Sequence, residues 1–99
     1  MNHYHEHFWQ IAKDFGLDKK GFICTLPEIH PSYFIMKYDR QKHKIYCPNH
    51  LVLEGVYICG FGQEELKPKL VRQRVVELIE QYKQLNIQKN LNKIKEDFE

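Results

Sequence analysis

The chain has 99 residues, 42% hydrophobic and 13% aromatic, with a formal net charge of +2. That is one domain's worth of chain, with enough apolar material to build a core that needs neither disulfide nor metal to hold it. So small a cationic excess does not by itself argue for nucleic acid, and its sign excludes an acidic mimic of DNA.

The N-terminal segment carries the first helical signal. Phe8, Ile11, Ala12 and Phe15 recur at i, i+3, i+4 and i+7, with Trp9 flanking the stripe and Gly16 placed to end the helix. Asp18-Lys19-Lys20-Gly21 reads as a polar connection. GFICTL, 21 to 26, is a short β run, and PEIHP, bracketed by Pro27 and Pro31, is a loop because proline cannot donate to a ladder. SYFIMKY is the best strand, DRQKHK a hairpin tip, and KIYC the returning strand. Pro48-Asn49-His50 is a turn. LVLEGVYICGFG follows as a third main strand with a bulge at Gly55.

The remainder reads as helix. Pro68 is tolerated only in a first turn, which puts the start near Glu65 to Lys67. Val71, Val75, Leu78, Tyr82 and Leu85 form one apolar stripe; Ile87, Leu91, Ile94 and Phe98 form a second. The step from Leu85 to Ile87 breaks phase, so a kink or a second short helix is expected near Asn86. The order is α-β-β-β-α plus a C-terminal helix. The fold class is α+β, a small antiparallel sheet of three to four strands with helices on one face. Residues 1–84 form the domain; residues 85–99 form an amphipathic helix that packs on it or docks a partner.

Three cysteines, Cys24, Cys47 and Cys59, cannot all pair within the chain, and MNHYHEHFWQ lacks the basic-then-apolar pattern of a secretory leader. Reduced thiols in a cytoplasm are the expectation. No run approaches the ~18 apolar residues of a membrane span. Cys47 and His50 have the spacing of half a zinc site, and Cys24 and Cys59 complete a tetrahedral set only if their strands end together. Small buried hydrophobes explain the same thiols without metal. His3, His5 and His7 sit near a terminus and read as solvated.

No catalytic constellation supports a named reaction. Ser32 is the sole serine and lacks a nucleophile-elbow context, and Gly60-Phe61-Gly62 is not a phosphate-cradling loop. The expectation is therefore no enzyme and no cofactor.

Charge distribution says more than its total. Residues 37 to 44 carry Lys37, Arg40, Lys42 and Lys44 against Asp39 alone, and residues 67 to 74 carry Lys67, Lys69, Arg72 and Arg74 with no acid. If hairpin tip and helix start face one way, they make a basic surface, with Tyr33, Tyr38, Tyr46 and Tyr57 available for stacking on bases. The stripe of Ile87, Leu91, Ile94 and Phe98 matches helix-in-groove recognition or helical pairing. The preferred function is thus a small non-enzymatic adaptor that binds a larger protein, or pairs as a homodimer, within a nucleic-acid-processing assembly. A stand-alone DNA- or RNA-binding protein and a small zinc-stabilised module are the alternatives, and no membrane is involved.

Overall fold

A computed structural model of the chain describes residues 4–97, with side chains described to residue 94. The elements in order are α1 (Tyr4–Asp14), β1 (Asp18–Lys20), β2 (Ile23–Thr25), β3 (Met36–Asp39), β4 (Lys44–Cys47), β5 (His50–Glu54), β6 (Tyr57–Phe61), β7 (Glu64–Leu66) and α2 (Pro68–Asp97). The fold is α+β. An antiparallel five-stranded sheet runs β1-β2-β3-β4-β7, and β5-β6 form a separate two-stranded sheet.

α1 buries Phe8, Ile11 and Ala12, the stripe its spacing predicts. It ends as Gly16 enters the left-handed region at φ 63°, while the Leu17 amide donates back to the Ala12 carbonyl at 2.9 Å. Those carbonyls would otherwise be left without a donor.

The register assigns the faces of the large sheet. Cys24 stands opposite Lys19 and Met36, and Tyr38 opposite Ile45, which faces Leu66. This inner face meets both helices, and with Phe8, Ile11, Val71, Val75 and Leu78 it forms one core. Each of those fully buried side chains contributes roughly 1.5–3 kcal/mol by leaving water. The outer face carries Lys20, Ile23, Lys37, Tyr46 and Glu65 in one rung and Asp39 and Lys44 in the next, all half-buried or exposed. One wet face is normal for an antiparallel sheet.

Three local features differ from the sequence reading. Gly55 is not a bulge in one long strand. It has φ 62° and, with Val56, makes the two-residue turn of a hairpin in which Glu54 faces Tyr57; glycine at the first turn position is what a type II′ turn requires. Asp18–Lys20 and Glu64–Leu66 are short strands rather than a connection and a helix start. They are the two edges of the sheet, where polar residues blunt further pairing and erase the alternation that marks a strand. Finally, α2 is a single uninterrupted helix through Leu85 and Ile87, with no second helix at Asn86. Its first residue is Pro68, as a proline at N1 allows.

Candidate functional site

Two places concentrate side chains that the fold does not use up. The first is the far half of α2. Val71, Val75 and Leu78 are fully buried, and Ile79, Tyr82 and Leu85 pack against the core. The helix advances about 100° per residue, so Ile87, Leu91 and Ile94 lie about 160°, 200° and 140° around from Val71. They are 54%, 56% and 52% exposed. The apolar stripe has crossed to the outer side of the helix. Lys89 lies back on the inner side, where its ammonium pairs with the Glu28 carboxylate. Residues 90 to 94 are all exposed, and the chain's long dimension reaches 58 Å as the helix leaves the body. Phe98, the fourth position of the stripe, lies outside the described residues.

The second is a groove at the β3–β4 tip, between α1 and β2. His5, Trp9, Phe22, Tyr38, Arg40 and His43 line a hollow of about 430 Å³. Trp9 and Phe22 rings lie 6.0 Å apart, Phe22 and Tyr38 5.9 Å, and Phe8 backs Tyr38 at 5.7 Å. Lys19 projects from β1 onto the inner face and sets its ammonium 3.2 Å from the Trp9 ring centre. The Arg40 guanidinium sits 4.9 Å over Phe22. Tyr38 Oη and His43 Nδ1 are 2.9 Å apart. The tip itself is held by Asp39, whose Oδ1 accepts from the amides of Gln41 and Lys42 at 3.0 and 3.1 Å. Those bonds favour the carboxylate and lower its pKa.

The basic residues of the sequence reading divide. β7 leaves the sheet beside β4, so the chain enters α2 at the same end as the tip, which brings Lys67 and Lys69 toward Lys42. Three others are neutralised. Lys44 pairs with Glu65 at 3.1 Å, Arg72 with Asp14 at 2.9 Å, and Arg74 with Glu64 at 2.8 Å while donating to the Pro48 carbonyl at 2.9 Å. Lys37 and Lys44 project from the outer face, whose other charges include Asp39 and Glu65. Of the four tyrosines, Tyr38 alone lines the groove. Tyr46 stands on the outer face, and Tyr33 and Tyr57 surround His30 at 5.7 and 4.9 Å.

The metal candidates do not converge. Among the described residues no three His, Cys, Asp or Glu side chains are placed to hold an ion. Cys24 and Cys47 are fully buried on the inner face, and His50 is exposed, stacked on Phe61 at 4.8 Å. Burial pushes the Cys24 thiol up to about 11 and the Cys47 thiol to about 12, far from an activated nucleophile. Cys59 is also raised, by burial and then by Glu54. His5 meets Trp9 edge-on at 6.1 Å in the groove, and His3 lies outside the described residues.

Sequence reasoning did not anticipate Trp9, Lys19, Phe22 or His5 as one cluster. The available signal was alternation: Phe22 and Cys24 share a face, and Lys19 faces inward once β1 is recognised as a strand. Compared with family models, with curated proteins and with solved structures, the chain matches none, so the functional reading rests on these two surfaces alone.

Proposed function

We propose that the chain is a small non-enzymatic adaptor that lays the outer stripe of α2 into an apolar groove of a larger protein. The observation that carries this reading is the phase reversal between Leu85 and Ile87. A helix that only covered its own domain would keep its apolar residues on the packed side, as Val71, Val75, Leu78, Ile79, Tyr82 and Leu85 do, with Val76, 53% exposed, the exception in that stretch. Ile87, Leu91 and Ile94 follow the i, i+4, i+7 spacing of helix-in-groove anchors, on the side the domain does not touch.

A second copy is the weaker occupant. Each anchor is already half covered and offers roughly 1 kcal/mol of further burial, about 6 kcal/mol for two copies together. Association costs ~4–15 kcal/mol in lost freedom of motion. A concave partner encloses the helix on more sides and buries more than a facing helix does.

The test is a native mass spectrum of the full chain isolated gently from its own cells, beside the Leu91→Asp variant. The reading expects the wild-type chain bound to a larger chain, the Leu91→Asp chain bare at 12.0 kDa, and the same thermal melt for both. A bare wild-type chain, a doubled mass, or a complex indifferent to Leu91→Asp overturns it.

A further inference from the structure

We propose that the groove of His5, Trp9, Phe22, Tyr38, Arg40 and His43 binds unpaired bases of a single-stranded nucleic acid, with Lys19, Arg40 and Lys42 meeting its phosphates. The inference uses a surface separate from the outer stripe of α2 and stands without it.

The groove combines the two features that such binding needs. One is a set of ring faces. Trp9 and Phe22 are half-buried, so each ring is braced from behind yet open toward the hollow, while Tyr38 is packed against Phe8 beneath them. Bases of any sequence stack on such faces. The other is positive charge held on ring faces rather than in ion pairs. Of the three arginines, Arg72 and Arg74 are bound to carboxylates, whereas Arg40 makes no ion pair among the described residues and lies on a ring instead. Lys19 likewise rests on Trp9 and makes no ion pair among the described residues. A base entering the groove takes the ring face, and the displaced cation turns to the adjoining phosphate, so the site keeps its charges in contact throughout.

Size and continuity agree. The hollow of about 430 Å³ suits one nucleotide. A second hollow of about 640 Å³ shares Phe22, Tyr38 and Arg40 and adds Lys37, Asp39 and Gln41, so the groove continues past Arg40 for a neighbouring unit. Asp39 is the acid on this path, and its carboxylate is engaged with the Gln41 and Lys42 amides. A duplex is disfavoured because its bases are stacked on one another and present no free face. The outer face of the sheet is the poorer surface: Lys20, Lys37 and Lys44 are matched there by Asp18, Asp39 and Glu65.

The chain carries its own probe, since Trp9 is the sole tryptophan. The full-length protein is titrated at low salt with oligothymidylate, oligouridylate, an abasic oligodeoxynucleotide of equal length, and a duplex, and Trp9 fluorescence is followed. The expected result is saturable quenching by one or both intact single strands, weakened by salt as phosphate contacts require. The abasic strand should bind about tenfold more weakly or worse, the loss expected when stacking is removed. Arg40→Gln, at an exposed side chain, and Phe22→Leu should weaken binding similarly with unchanged circular dichroism, while Leu91→Asp leaves it intact. Quenching by only one sugar type assigns DNA or RNA. No quenching by either strand, equal binding of the abasic strand or the duplex, or indifference to Arg40→Gln and Phe22→Leu overturns the proposal.

Discussion

Leu85 and Ile87 stand two residues apart on one unbroken helix and face opposite ways: Leu85 packs against the core, and Ile87 is 54% exposed. Because the second stripe plays no part in the domain's own packing, charge introduced there should be tolerated. Leu91→Asp should change unfolding free energy by no more than about 0.5 kcal/mol. Leu78→Ala, at a fully buried position of the same helix, should cost about 2–5 kcal/mol. Urea unfolding of the two variants checks the contrast.

The thiols should be nearly inert in the folded protein. Cys24 and Cys47 are fully buried and their pKa values lie at about 11 and about 12, so almost no thiolate forms at neutral pH. A disulfide-exchange reagent should label neither until the chain unfolds, whereas Cys59, buried but outside the main core cluster, should react first. Mass spectrometry of partially labelled protein gives the order.

The β5–β6 turn depends on backbone conformation rather than space. A Cβ on Gly55 would meet nothing within 4 Å, but φ is +62°. Gly55→Ala should therefore cost about 1–2 kcal/mol from the left-handed backbone alone. Gly55→Asn should cost less, because asparagine visits that region more readily. Thermal melts of both variants measure the difference.

Two carboxylates tie helices across the fold. Asp14 is held below its ordinary 3.8, first by the Gln10 side chain and then by Arg72. Glu28 is held below its ordinary 4.5 by Lys89. A depressed folded pKa means the stabilisation is complete above the ordinary value and disappears as pH falls through the depressed one. The melting temperature should thus drop on acidification below those values. Asp14→Asn combined with Glu28→Gln should lower it at neutral pH and flatten that drop. An unaltered acid slope in the double variant contradicts the assignment.

The sequence made the core legible where periodicity was strong. The stripe of Phe8, Ile11 and Ala12 and that of Val71, Val75 and Leu78 are each buried as their spacing predicts. What it hid were the edges. β1 and β7 are three residues each and mostly polar; β1 is set by a tight hairpin to β2, Lys19 opposite Cys24, and β7 by pairing with a strand well back along the chain, Glu65 opposite Tyr46. Without β1 there was no reason to turn Lys19 inward, and so no reason to place it on Trp9. The phase break at Leu85 was visible, but a break in hydrophobic phase does not require a break in the backbone. Hydrogen bonding along α2 continues while the partner of its apolar side changes.

The central claim is that Ile87, Leu91 and Ile94 contact a protein partner. The most direct measurement places a photo-crosslinking residue at Leu91 in one variant and at Lys93 in another, with irradiation in the cell of origin. Lys93 lies about 40° from Val71 on the helix, toward the packed side. The account predicts one discrete adduct with a larger protein from position 91, absent from position 93 and abolished by Ile87→Asp. No adduct at 91, an adduct of the chain with itself, or equal adducts from both positions would contradict it.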